Sequence, residues 1–245
     1  MEQNKSLTWV AVALILGLSL IASTVVFTGG LKAIKTERNT LDVKGSAKEE
    51  IKSDYAVWSG AFSANSADLQ GAYVDLENSA KEVKRFLIDK GFTEGDLIFS
   101  SVTTTPLNMI LPNGMYSNVI ESYRLSQTVE IRSNDVDRIA EISRISTELI
   151  NLGVTFESYP PQYFYTKLAD KKITMIELAT QDARARAEAM LKSSGKAPGD
   201  LVSASVGVFQ ITPLYSNEIS DYGINDTSSI DKEITAVVNC SFEVK

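Results

Sequence analysis

Hydrophobic and polar positions change rhythm several times along the chain. The first rhythm is unbroken apolarity: Ser6 to Leu31 carries no charged residue, and 16 of the 22 residues from Leu7 to Thr28 are apolar. A helix of that length spans roughly 33 Å at about 1.5 Å per residue, enough to cross a bilayer's hydrocarbon core. Trp9 falls near its start, where interfacial aromatics are favoured. The predicted lipid-facing anchor residues are Leu7, Trp9, Leu14, Leu18, Ile21 and Phe27. A cleaved signal peptide is the competing reading, but its apolar region runs about 7 to 15 residues and ends in a small-x-small site. This stretch is longer and ends in Val25-Val26-Phe27-Thr28-Gly29-Gly30. The expectation is an uncleaved single-pass anchor over residues 1–31, followed by a charged connector over 32–40. Lys5 precedes the helix, and Lys32, Lys35, Arg38 and Lys44 follow it. That count alone would hold the C-terminal side in the cytoplasm, yet long domains cross largely regardless of it, so charge leaves orientation open.

Past the connector the pattern alternates between periods of two and 3.6. Leu41 to Ile51 and Tyr55 to Ala64 read as strands. Leu69, Tyr73, Leu76, Ala80, Val83 and Leu87 recur every three or four residues, the stripe of an amphipathic helix that Gly91 would cap. Leu97 to Leu107 and Val119 to Arg132 read as strands around Pro112-Asn113-Gly114, a strong turn signal. Ser133 or Asn134 can cap a second helix, whose inner face is Val136, Ile139, Ile142 or Ser143, Ser146 and Leu149 and which Gly153 ends. Val154 to Thr166 is predicted as one strand, Leu168 to Ser194 as the longest helix, and Val202 to Leu214 and Glu233 to Val244 as closing strands.

Two stretches repeat. Gly91-Phe-Thr-Glu-Gly-Asp-Leu97 matches Gly195-Lys-Ala-Pro-Gly-Asp-Leu201 at an offset of 104, each between a helix and a strand. Both strands run into Thr-Pro-Leu, and Tyr116-Ser-Asn118 parallels Tyr215-Ser-Asn217, leaving Asn108 to Met115 as eight extra residues. A duplicated strand-helix-strand-strand unit accounts for this order. The predicted class is α+β with mainly antiparallel sheets: a first unit over 41–133, a linking helix over 134–153 and a second unit over 154–245.

Composition narrows the chemistry. With 24 Lys and Arg against 31 Asp and Glu, the net charge of −7 argues against a nucleic-acid partner, whose binding requires a basic surface. The chain has no histidine and one cysteine, so common proton shuttles and transition-metal ligands are nearly absent. No phosphate-binding loop, dinucleotide fingerprint or calcium loop is present. The expectation is therefore no catalytic, cofactor-binding or metal-binding residues, no cofactor and no enzyme. Cys240 reads as a small core hydrophobe. Asp182, Arg184, Arg186 and Glu188 read as a solvated helix face in which Arg184 and Glu188 pair.

The segment that stands out is Leu107, Met109, Ile110, Leu111, Met115 and Tyr116, gathered around a tight turn where loop tips are normally polar. A large apolar tip usually marks an interface, and these residues are the candidate homo-oligomer interface. The alternative is a tip folded back over its own sheet. The equivalent stretch in the second copy, Glu218 to Asp231, reads as a polar, acidic loop.

Val43-Lys-Gly45, Asp54-Tyr-Ala56, the alanines at 179, 183, 187 and 189, the turn from Gly195 to Leu201 and the strand from Glu233 together resemble the SIMPL domain family, formerly a bacterial domain of unknown function. Ser53 stands where members commonly place proline. The resemblance implies a periplasmic or cell-envelope protein of the bacterial inner membrane, with the N-terminus inside and the domain outside. It also implies large homo-oligomers and a part in envelope stress tolerance, and it carries no catalytic residues over. The leading expectation is a membrane-anchored, non-enzymatic envelope protein that self-assembles. The alternative is a periplasmic module that captures a peptide or protein along a strand edge; an enzyme built on serine or carboxylates is the third.

Overall fold

The computed structural model describes residues 17–28 and 39–245. Residues 17–28 form helix α1. The elements that follow are β1 (Thr40–Lys52), β2 (Tyr55–Ser66), α2 (Leu69–Asp89), β3 (Leu97–Phe99), β4 (Thr103–Ile110), β5 (Tyr116–Ser133) and α3 (Val136–Ile145), which tightens into a 3-10 turn at Ser146–Leu152. Then come β6 (Thr155–Ser158), β7 (Gln162–Phe164), α4 (Leu168–Lys192), β8 (Pro198–Val206), β9 (Gln210–Pro213), β10 (Ile224–Asn225) and β11 (Asp231–Val244). The α+β class holds. Three expected strands are each broken in two: at residues 100–102, at Tyr159-Pro160-Pro161, where consecutive prolines offer no N–H to a ladder, and around Gly207. Among the described residues no helix is long and apolar enough to cross a membrane. The anchor positions Leu7, Trp9 and Leu14 and nearly all of the connector lie outside the described residues.

One sheet runs β3-β5-β2-β6, with β4 also on β5 and β7 also on β2. The other runs β1-β11-β9-β10, with β8 also on β11. The ladders of β5 with β2, β3 and β4, of β2 with β6 and β7, and of β11 with β9 are antiparallel, and β10 runs parallel to β9. The 104-residue repeat has a counterpart in this pairing, since β5 and β11 each take two short preceding strands as partners. The copies differ on the other flank. β5 lies beside β2, the strand before its own helix, whereas β11 lies beside β1 and the strands before α4 pair with β2.

The chain forms two compact units. The larger comprises Gly45–Asp182 and Val206–Val238. Its core lies between the six-stranded sheet and the helices: the even positions of β2 (Ala56, Trp58, Phe62) turn inward with Leu125, Val129 and Ile131 of β5, and meet Ala72, Leu76, Val83 and Leu87 of α2. Gly60 continues that inward row because Phe156 packs where its side chain would be; a Cβ there would lie 2.2 Å from the Phe156 ring. The buried Trp58 indole donates to Ser158 Oγ at 3.0 Å, and that hydroxyl donates to the Ser143 carbonyl at 2.9 Å. Of the expected inner positions of the second helix, Val136, Ile139, Ser146 and Leu149 are buried, and between the two alternatives Ile142 is buried and Ser143 half-buried. Its cap is Asp135 rather than Ser133 or Asn134. Asp135 accepts from Arg138 N, while Asn134 instead donates to the Asp54 carbonyl.

The smaller unit gathers the described residues up to Lys44 with Ala183–Ser205 and Asn239–Lys245. Here Ala197 and Lys245 exchange backbone hydrogen bonds at 3.0 Å, and Val244 N donates to Asn39 O. Cys240 is a free, buried thiol, and burial pushes its pKa up, as befits a core position. Arg184 and Glu188 make an exposed i to i+4 pair.

Candidate interaction surface

The six apolar tip residues sit on one hairpin. Leu111 N donates to Met115 O and Gly114 N to Leu111 O, each at 2.8 Å, and Asn113 Oδ1 accepts from Met115 N. Gly114 takes φ +81°, which a side chain would strain, so the Pro-Asn-Gly turn closes where the sequence placed it. The ladder between β2 and β5 ends at Ser66 opposite Tyr123. The ladder between β4 and β5 continues through Leu107 opposite Ser122 and Asn108 opposite Ile120 to Ile110 opposite Tyr116, with two register shifts. Residues 107–122 therefore form a two-stranded ribbon extending past the sheet.

This ribbon is exposed and apolar together. Leu107 is half-buried, Met109 and Leu111 are exposed, and Ile110, Met115 and Tyr116 reach 61%, 61% and 75% exposure. Sequence reasoning missed Val119 and Ile120 on the return strand, both exposed. Because Met109-Ile110-Leu111 and Val119-Ile120 are consecutive residues, the two-residue period of a strand puts apolar groups on both ribbon faces. The signal that would have found them is charge: Leu97 to Ile120 is a run of 24 residues with none. A two-stranded ribbon is marginal alone in water.

At the ribbon's base is a second apolar feature. Leu69, Tyr73 and Val74 of α2 and Val102 before β4 surround a groove of about 630 Å³, completed by Gln70, Thr104 and Leu125. The α2 stripe was expected to face the core throughout; its first two members, Leu69 and Tyr73, are instead exposed in this groove. The second copy's loop also departs from the expected purely polar character. Tyr215, at φ +64°, lies just before it, and with Ile219 and Tyr222 is almost wholly exposed.

A buried pair of charges lies elsewhere. Lys232, at the start of β11, has its side chain 2% exposed, and Asp226 has its at 8%. The ammonium donates to the Tyr163 carbonyl at 2.8 Å and to the Asp226 carbonyl, with the Asp226 carboxylate 3.8 Å away. Burial pushes Lys232 below its ordinary pKa, opposed by Asp226. Burial alone would raise Asp226, but hydrogen bonds from Ser228 and Ser229 and the Lys232 charge outweigh it, so the carboxyl is held low. Asp226 N also bonds Ile211 O, Tyr163 N bonds Thr227 O, and Ser53 N bonds Ile230 O. The cluster thus pins the segment 226–230 to β7, β9 and the turn between β1 and β2. Its polar atoms face one another, an arrangement suited to fastening a loop. A lone lysine in an acidic chain left no sequence signal for it.

The fold is thus an α+β architecture of two mainly antiparallel sheets, one of them prolonged by an apolar ribbon. The chain belongs to the SIMPL family, whose model, a protein of unknown function (DUF541), matches residues 41–242. No curated protein sequence matches the chain. Among solved structures it is similar to an uncharacterized conserved protein from Listeria innocua, at 9% identity and a TM-score of 0.21, covering 89% of this chain and 98% of that one. A hydrolase from Listeria innocua is similar at 8% identity, the same TM-score and the same coverage. Likenesses this slight bear on neither fold nor activity.

Proposed function

We propose that this protein is a non-enzymatic, membrane-anchored component of the bacterial envelope, facing the periplasm, that self-assembles through its ribbon and contributes to envelope integrity under stress. The observation that carries the reading is the apolar ribbon, free of charge from Leu107 to Ile120 and exposed on both faces beyond the sheet. Burial of such a patch against another molecule removes apolar surface from water at about 25 cal/mol per Å². Anchoring supports assembly, because confinement to a membrane raises the effective concentration of weakly associating domains.

Several features support the anchor. The described helix at residues 17–28 exposes Leu18, Leu20, Ile21, Val25, Val26 and Phe27. Its Thr24 and Thr28 hydroxyls donate to the carbonyls of Leu20 and Thr24 at 2.8 and 2.7 Å, which masks their polarity as a hydrocarbon environment demands. Strand addition, the alternative, is less well served. Pro106 interrupts the β4 edge, and on β1 the Ser46 N–H is taken by Asp182 at 2.8 Å.

The test is cellular. After carbonate washing, the protein stays in the inner-membrane fraction, and protease added to spheroplasts digests the domain. A photo-crosslinking amino acid in place of Met115, which captures whatever surface the tip touches, joins two copies in intact membranes. Release by carbonate, or protection from the added protease, contradicts the anchor and its orientation; absence of the crosslinked pair contradicts ribbon-mediated assembly.

A further inference from the structure

We infer that the receptor for the ribbon tip is the groove between α2 and β4 on a second copy of the chain, so that assembly runs head to tail. This rests on the self-assembly reading and adds to it the surface that receives the tip.

The first argument is that a chain cannot fill its own groove with its own tip. Thr104 and Leu125 line the groove and are paired in register, so the groove lies at the ribbon's base. Ile110, near the tip, is six residues farther along β4, which is about 20 Å at the rise of an extended strand. Pairing maintained as far as Ile110 opposite Tyr116 keeps the ribbon extended. The tip that reaches the groove is therefore that of another copy, not the chain's own.

The second argument is complementarity. None of the groove's seven lining residues is charged, and the ribbon is charge-free to Ile120. Two copies of a chain with net charge −7 repel each other over most of their surfaces, so contact between neutral patches is the approach that avoids this cost. The five exposed tip side chains offer about 500 Å², or about 1,000 Å² counting both partners, which is the lower bound for a specific interface. A contact of that size is weak in solution and gains from anchoring in two dimensions. Since tip and groove are different surfaces, each contact leaves one free tip and one free groove, and assembly continues to a ring or an open chain.

The test uses the full chain in detergent micelles and two variants. The tip variant is Ile110→Ser with Met115→Ser; the groove variant is Tyr73→Gln with Val74→Gln. All four positions are exposed, so both variants melt like the wild type. Each alone is expected to be monomeric, with association weakened about a hundredfold, because each loses two apolar anchors worth about tenfold apiece. An equimolar mixture restores one intact tip facing one intact groove. It is expected to give a one-to-one pair that grows no further. Folded variants that stay monomeric when mixed, or a groove variant that assembles like wild type, overturn the groove assignment while leaving self-assembly standing. A tip variant that still assembles like wild type overturns the proposal. A monomeric wild type overturns the self-assembly reading itself.

Discussion

Replacing Lys232 with methionine removes a buried cation while nearly conserving volume. The ammonium's two acceptors, the Tyr163 and Asp226 carbonyls, lose their donor, and the 8%-exposed Asp226 carboxylate loses its counter-charge. Breaking a buried pair from one side costs about 3 to 5 kcal/mol, because the remaining charge stays buried. Ser228 N and Oγ, at 2.9 and 2.6 Å from Asp226 Oδ1, still hold that carboxylate, which places the cost near the lower end, about 3 kcal/mol. For a chain of this size 1 kcal/mol moves the melting temperature by about 2 to 4 °C, so Lys232→Met lowers it by about 10 °C. The assay is intrinsic tryptophan fluorescence on heating, with Trp58 in the core as reporter. Adding Asp226→Asn removes the stranded charge, so the double variant is less destabilised than the sum of the singles by about 1 kcal/mol or more. A drop under about 3 °C for Lys232→Met, corresponding to about 1 kcal/mol, or strict additivity in the double variant, would falsify the claim that the pair fastens the loop.

The same pair predicts opposite pH effects. Asp226 is held below its ordinary pKa of 3.8, so its contribution is present above that value and is lost as pH falls through the lowered folded value. Acid titration of the melting temperature therefore shows a shallower fall in Asp226→Asn than in wild type. Lys232 is pushed below 10.5 in the folded state, so between its lowered value and 10.5 the unfolded chain binds more protons and stability gains with rising pH. Lys232→Met lacks that alkaline gain in the same titration. Gly60→Ala drives a methyl to within 2.2 Å of the Phe156 ring and costs about 1 to 3 kcal/mol by overpacking; denaturant melts check this, and Phe156→Leu in the same chain recovers part of the loss. Ile110→Ser and Met115→Ser, both at solvent-exposed positions, leave the unfolding midpoint of monomers unchanged within about 0.5 kcal/mol.

Much of the fold was legible because its signals are local. The α3 face followed from 3.6-residue spacing, and the ribbon turn from Pro112-Asn113-Gly114. Gly91, Gly153 and Gly195 all take positive φ where helix ends were expected. Strand breaks at Pro160-Pro161 and Gly207 were readable in principle from the same residue rules. Pairing between distant strands was less legible. That β11 lies beside β1, and β6 and β7 beside β2, depends on contacts between residues far apart in the chain, such as Ser63 opposite Thr155, to which alternation within a strand is blind. Exposure at the start of α2 was hidden for the same reason: periodicity shows which side of a helix is apolar, whereas the length of the facing sheet decides how much of that side is covered. Of the candidate surface, the six tip residues were found from composition alone. Val119 and Ile120 were marked by the charge-free run that ends with them, whereas the groove and the Lys232 cluster required the register of the strands.

The central claim is that the ribbon joins copies of this chain. Its most direct test is the protein mass of the full chain extracted in mild detergent, with the detergent contribution subtracted. The account predicts a multiple of 26.8 kDa for wild type and a single 26.8 kDa chain for Ile110→Ser with Met115→Ser. A wild-type mass of one chain, or an unchanged multiple in the variant, contradicts it.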